Sequence, residues 1–147
     1  MAAPQARPRY PRTALPASAP PDLSARETRE RLSPAALRGF FAIMGRWQVR
    51  DDLGRQVLGG VSNGTFYEMK RDAARVCSAD ELTRISYLIG IFKALNVLHG
   101  EELADAWMHR PNSNRLFAGM APIEYVARGG IPALDQLRRL LDARRGL

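Results

Sequence analysis

Residues 77–100, CSADELTRISYLIGIFKALNVLHG, carry the strongest helical pattern in this 147-residue chain. Ser78 followed by Glu81 is a capping box, in which the two side chains satisfy free backbone N–H groups at the start of a helix. Apolar side chains then recur at three- and four-residue spacing around a wide face: Leu82, Ile85, Leu88, Ile89, Ile91, Phe92, Leu95 and Val97. A face this wide needs partners on two sides, so we expect the helix to be central to the fold or at a dimer seam.

Helical patterns also dominate on both sides of this segment. Upstream, Ser33 is the expected N-cap and Pro34 the expected first residue of a helix whose apolar stripe runs to Trp47. Short helices are expected over 51–58, from Ser62 onward and over 101–109. Downstream, Pro122 and Pro132 each begin a helix, and Gly129 is the expected left-handed cap between them. Since no strand pattern is present, the sequence predicts an all-α fold, an N-terminal helix-turn-helix bundle continuous with a small C-terminal helical domain.

The composition narrows the functional classes. The net charge of +7 favours nucleic acid as a partner. Cys77 is the only cysteine, which excludes an intramolecular disulfide and favours a reducing compartment. No run approaches the ~20 apolar residues of a membrane span, and the first residues lack the apolar core of a secretory signal. We therefore expect a cytoplasmic protein with no membrane partner.

Three regions are expected along the chain. Residues 1–31 are rich in Pro, Ala and Arg and lack a hydrophobic face, so they are predicted to be a disordered leader. Residues 32–92 are predicted to form a DNA-binding domain of the helix-turn-helix type, and residues 93–147 a second domain.

The DNA-binding prediction rests on residues 51–71. A short helix, a glycine turn, Val61, a capping Ser62 and a polar second helix have the layout of a helix-turn-helix, whose second helix meets base edges in the major groove. An ordinary helical hairpin is the alternative, and a second glycine at Gly60 leaves the register open by one residue. Phe66 and Met69 are expected to face the core. GVSNGTFYEMKR, residues 60–71, resembles the recognition helix of Xre-like regulators, and the predicted DNA-binding residues are Ser62, Asn63, Thr65, Tyr67, Lys70 and Arg71.

Residues 107–130 concentrate turn chemistry without any arrangement for catalysis. Pro111 should end one helix, Asn112 and Asn114 should bond the freed backbone groups, and Phe117 should fold back toward Trp107. The segment is therefore predicted to be a bracket that holds two helices at set angles. Its structural residues are Trp107, Pro111, Asn112, Phe117, Gly119, Pro122 and Gly129.

The same residues carry a family resemblance. From about Leu82 to the C-terminus the chain resembles the toxin-binding domain of Xre/MbcA/ParS antitoxins, with one departure: Ala121 stands where a capping Ser or Thr is common. The resemblance implies the antitoxin of a type II toxin–antitoxin pair. Its partner would be a RES-domain toxin that depletes NAD, and the antitoxin would cover the toxin's active-site entrance and bind its own operator DNA as a homodimer.

The resemblance also places the toxin contacts near the C-terminus. Leu134, Leu137, Leu140 and Leu141 are expected on the inner side of the last helix, next to an exposed charged face and a free, flexible tail. The predicted toxin-binding residues are Arg138, Arg139, Asp142, Arg144, Arg145 and Leu147.

Two other functions are alternatives to the antitoxin. A stand-alone transcriptional regulator would use its C-terminal half only to dimerise. An enzyme would need partners for Cys77, His99 or His109, and no carboxylate or cysteine stands at catalytic or metal-ligand spacing. We therefore expect no catalytic residue, no metal, no cofactor and no small-molecule substrate.

Overall fold

The computed structural model describes residues 19–72 and 74–147, and every regular element in these ranges is helical. The helices are α1 (Arg26–Arg46), α2 (Asp51–Val57), α3 (Asn63–Arg71), α4 (Ala79–His99), α5 (Glu101–Trp107) and α6 (Pro122–Arg144), with a 3₁₀ turn at Arg115–Phe117. The predicted all-α fold is confirmed. None of the helices in the described ranges is both long and apolar enough to cross a membrane.

Helix α4 is the centre of the fold. Its predicted capping box is present: Glu81 N donates to Ser78 Oγ at 3.1 Å, and Ser78 N donates to Glu81 Oε1 at 2.8 Å. Helices α1, α5 and α6 all pack against α4, as its wide apolar face predicted, and α2 packs against α6. One hydrophobic cluster contains buried side chains from α1 through α6, so the regions 32–92 and 93–147 share a single core.

Helix α1 begins earlier than the sequence indicated. Its first residue is Arg26, so the predicted leader overlaps the helix over residues 26–31, while residues 1–18 lie outside the described ranges. Ser33 is therefore no N-cap, and Pro34 is in the helix interior. Ser33 is buried, its Oγ donates to Arg29 O at 2.5 Å, and it accepts from Cys77 N at 2.8 Å. These bonds tie the middle of α1 to the segment that precedes α4.

Helix α6 contains a bend that separates its two halves. Gly130 has φ 65° and ψ −150°, a conformation that is essentially restricted to glycine. The residue with the left-handed φ between the two halves is Gly130, one position after the predicted Gly129. The expected break and the new start near Pro132 are thus present, shifted by one residue.

Candidate functional site

Hydrogen bonds within the connection fix the angle between α2 and α3. Helix α2 ends in a Schellman motif, in which Gly59 N donates to Gln56 O at 3.0 Å and Gly60 N donates to Arg55 O at 2.8 Å. The Arg55 side chain donates to Val61 O at 2.9 Å, and Ser62 Oγ accepts from Thr65 N at 3.2 Å. The second glycine is therefore part of the cap, and the predicted cap of α3 at Ser62 is confirmed.

The inner face of α3 is closely packed. Phe66 and Met69 are buried, as predicted. The Phe66 ring meets Phe41 edge-on at 5.2 Å between centroids. A Cβ built on Gly54 of α2 would lie 3.2 Å from Phe66 Cζ. The two short helices are thus in close contact where Gly54 lacks a side chain.

The outer face of α3 carries the predicted DNA-binding side chains. Thr65 is half-buried, Tyr67 is 64% exposed, and the other four residues are exposed. Lys70 Nζ lies 3.1 Å from Asp51 Oδ1 of α2, and both side chains are more than half exposed. Such an exposed ion pair contributes little to stability. The Ser62 Oγ accepts the capping hydrogen bond from Thr65 N, and the side chains of Asn63 and Thr65 make no hydrogen bond to other residues that the structure describes.

Two exposed arginines close to the α2–α3 pair were not among the predicted DNA-binding residues. Arg75 lies 3.4 Å from Glu68 of α3, and Arg50 is an exposed residue that precedes α2. Arg75 lies outside the helices, so helical periodicity gave no signal for it. Arg50 is visible in the sequence as a basic residue directly before the first of the two short helices.

The bracket between α5 and α6 is built as the sequence predicted. Asn112 Oδ1 accepts from Asn114 N and Asn114 Oδ1 accepts from Leu116 N, both at 2.9 Å. Phe117 is buried and meets the half-buried Trp107 edge-on at 5.9 Å between centroids. Gly119, with φ 84°, follows in the turn before α6.

The start of α6 is held without a side-chain cap. Ala121 makes no capping hydrogen bond, as expected for this residue. Instead Ile123 N donates to Met108 O at 3.0 Å, which joins the first turn of α6 to the end of α5. Tyr125 packs edge-on against Phe117 at 5.3 Å between centroids. These contacts fix the direction in which α6 leaves the bracket.

The predicted toxin-binding residues divide into two groups. Arg139 is 79% exposed and lies 2.9 Å from Asp135, Arg144 is exposed, and Leu147 is 77% exposed. The other three residues, Arg138, Asp142 and Arg145, were expected to be exposed, but they are half-buried. Both arginines form ion pairs with Asp142. Arg138 lies across Gly90 of α4, where a Cβ would come within 1.4 Å of Arg138 Nη1. The absence of a side chain at Gly90 therefore lets the guanidinium fold down onto α4.

The C-terminal tail was expected to be free and flexible, but its backbone is hydrogen-bonded to the last turn of α6. Gly146 N donates to Ala143 O at 3.1 Å and Leu147 N donates to Asp142 O at 2.9 Å, which forms a Schellman motif at the end of α6. The inner side of the helix is as expected: Leu134, Leu137 and Leu141 are buried, and Leu140 is half-buried.

The two histidines and the cysteine that were considered for catalysis have structural surroundings that do not favour a reactive role. The His99 ring stacks on Trp107 at 6.3 Å between centroids, and His109 Nε2 contacts the Trp47 carbonyl oxygen. Burial raises the pKa of the Cys77 thiol, which opposes formation of the reactive thiolate. Within the described ranges, no group of three or more His, Cys, Asp or Glu side chains is placed to hold a metal ion.

Comparison with known proteins finds a family match in the C-terminal part of the chain. Residues 93–146, which include α5, the bracket and α6, match the model of the antitoxin Xre/MbcA/ParS C-terminal toxin-binding domain. The chain is also 36% identical over 114 residues to the uncharacterized protein y4oB of Sinorhizobium fredii, an alignment that covers 77% of this chain and 86% of that protein. No solved structure matches the chain. Residues 93–146 are therefore similar to the toxin-binding domain of the Xre/MbcA/ParS antitoxins, and the similarity covers α5, the bracket and α6.

Proposed function

We propose that this protein is the antitoxin of a toxin–antitoxin pair, that it neutralises a RES-domain, NAD-depleting toxin by covering the active-site entrance, and that it represses its own operon as a DNA-binding homodimer. The match of residues 93–146 to the toxin-binding domain carries the proposal. Because operator DNA and the NAD that the toxin would consume are both cytoplasmic, we propose that the protein acts in the cytoplasm.

The toxin-blocking surface is the exposed part of the second half of α6. Arg139 and Arg144 present two cations on α6, whose direction the bracket sets, and Leu147 adds an exposed apolar side chain just beyond the end of the helix. Arginine is enriched among the residues that dominate binding energy at interfaces. Arg138, Asp142 and Arg145 have a supporting role here, because their ion pairs hold the helix surface between the exposed side chains.

Charge reversal tests this surface. We expect Arg139→Glu combined with Arg144→Glu to abolish inhibition of NAD consumption by the adjacent gene's product, with the helical circular dichroism unchanged. Arg38→Glu, at an exposed position of α1, is the matched control and should inhibit like the wild type. Deleting residues 143–147 is a poorer test, because it also removes the Schellman motif of α6. Full inhibition by the double variant would move the blocking surface to the first half of α6.

DNA binding is assigned to the outer face of α3. Asn63→Ala and Thr65→Ala should relax operator preference, because each good base contact is worth ~1–3 kcal/mol of discrimination. Lys70→Ala and Arg71→Ala should instead weaken binding to every sequence and lower its salt dependence. Footprinting on the DNA upstream of the gene measures both. Unchanged selectivity in the first two variants would remove the assignment of α3 as the base-reading helix.

Co-expression separates the antitoxin from a stand-alone regulator. If the adjacent gene encodes a RES-domain protein, this chain should restore growth of cells that express it and should co-purify with it. A chain that binds its upstream DNA but neither protects the cells nor co-purifies would be a regulator whose C-terminal half serves dimerisation.

A further inference from the structure

Arg84 is an arginine of the central helix whose side chain is largely covered. Its side chain is 16% exposed, and its Nε donates to Asp80 Oδ2 at 2.7 Å, one turn earlier in α4. A lone i,i+4 ion pair on a helix surface is usually well exposed and contributes little. Here two other parts of the chain cover the guanidinium.

The first part is the connection between α2 and α3. A Cβ built on Gly59 would lie 3.1 Å from Arg84 Nε, 3.3 Å from Arg84 Cζ and 3.1 Å from Asp80 Oδ2. Gly59 has φ 105°, a conformation that side-chain-bearing residues rarely adopt. The ion pair therefore lies directly against the backbone of the Schellman motif, three residues before the Ser62 cap of α3.

The second part is the bend of α6. A Cβ built on Gly130 would lie 3.6 Å from Arg84 Nη2 and 3.7 Å from Nη1. The far end of the guanidinium thus faces the residue at which α6 changes direction, between the bracket and the half of α6 that carries Arg139 and Arg144. One planar group lies between the connection that sets α3 and the bend that sets the end of α6.

We propose that Arg84 is a positioning residue that couples the bend of α6 to the α2–α3 unit, so that occupancy of α6 by a partner changes how α3 is presented. The planar guanidinium, held by Asp80, lies between two glycine positions, where no side chain separates it from either backbone. A change of the bend at Gly130 displaces Arg84, and Arg84 displaces Gly59. The role in DNA and toxin binding rests on the proposed function, whereas the mechanical coupling rests on the contacts alone.

The coupling is tested first without any ligand, by a double-mutant cycle in the full chain. Gly130→Ala forces a new backbone conformation at the bend without a side-chain clash. In the wild-type background it should shift the amide resonances of residues 59–71 in ¹H–¹⁵N spectra. In an Arg84→Met background the same substitution should shift them at most about half as far, as expected when residues in contact couple and the contact is removed.

Controls separate coupling from general destabilisation. Gly146→Ala, which likewise replaces a glycine with a left-handed φ but lies just beyond the end of α6 with open space around it, should leave residues 59–71 unshifted. Asp80→Asn removes the carboxylate that holds the guanidinium, so it should weaken the effect of Gly130→Ala as Arg84→Met does. It replaces Arg84→Met in the cycle if that variant does not fold. Equal shifts of residues 59–71 in both backgrounds would overturn the proposal, because the α2–α6 contact would then carry the effect.

A second experiment tests whether the coupling affects DNA binding. With the adjacent gene's product bound, affinity for the upstream DNA should change by roughly 5-fold or more in the wild type, the lower end of typical allosteric coupling, and should change less in Arg84→Met. An equal change in both proteins would remove Arg84 from the regulation. A chain that binds neither DNA nor the adjacent gene's product would contradict the proposed function, and the amide shifts would still decide the mechanical coupling.

Discussion

Ser33 shows how one buried hydroxyl joins two distant parts of the chain. Its Oγ accepts from Cys77 N and donates to Arg29 O. Ser33→Ala leaves a buried backbone N–H without its partner, which typically costs about 1–3 kcal/mol. We expect a loss of that order in the free energy of unfolding from urea denaturation. Ser86→Ala, at an exposed position of α4, should change it little, and an equal loss in both variants would contradict the role of the buried bond.

The adjacent Cys77 makes stability depend on pH. Burial raises the pKa of its thiol above the ordinary value of 9.0, with the Ser33 hydrogen bond opposing this. The unfolded thiol therefore ionises first, the native state binds more protons, and stability falls as the pH rises above 9.0. We expect Cys77→Ala to have a flatter stability profile between pH 9.0 and 10.0, below the range in which the half-buried Tyr87 and Tyr125, whose pKa values are also raised, contribute. Parallel profiles would show that the thiol does not titrate differently on unfolding.

At the scale of elements, α2 and α3 each contain a glycine, and replacement by alanine is expected to have opposite effects on stability at the two positions. Gly54 has Phe66 Cζ 3.2 Å from its potential Cβ, whereas Gly64 has open space. Gly54→Ala should destabilise by about 1–3 kcal/mol, because the ring must move in a packed core. Gly64→Ala should stabilise by up to ~1 kcal/mol, because alanine is the better helix former. Thermal unfolding of the two variants measures both, and a stabilised Gly54→Ala would show that Phe66 has room to move.

Local signals explain which elements the sequence predicted well. The cap of α3, the capping box of α4 and the amide turns of the bracket are formed by residues within a few positions of each other. The early start of α1 was missed because residues 26–32 have little apolar periodicity. The half-burial of Arg138 was missed because it depends on Gly90, 48 positions away on another helix. Contacts between α4 and its neighbours decide such cases, and the sequence carries no local signal for them.

At the scale of the whole molecule, the shared core changes the expectation for truncation. Leu23 packs against the core before α1 begins, and Arg29 Nη1 donates to Leu23 O at 2.9 Å and to Ser24 O at 3.0 Å. All the residues that make these contacts lie after residue 18 in the chain. A chain without residues 2–18 should therefore keep them, whereas a chain without residues 2–31, the full predicted leader, loses them together with the first turns of α1.

We expect the two truncations to differ clearly in thermal unfolding. Deletion of residues 2–18 should leave the melting temperature nearly unchanged. Deletion of residues 2–31 should lower it by several degrees, because a loss of ~1 kcal/mol corresponds to roughly 2–8 °C in domains of this size range. It also removes the Arg29 carbonyl that accepts from Ser33. Leu23→Ala in the full chain is the matched test of the apolar contact and should account for part of the loss. Equal melting temperatures for both truncations would show that α1 is stabilised entirely from Leu32 onward, by its packing on α4.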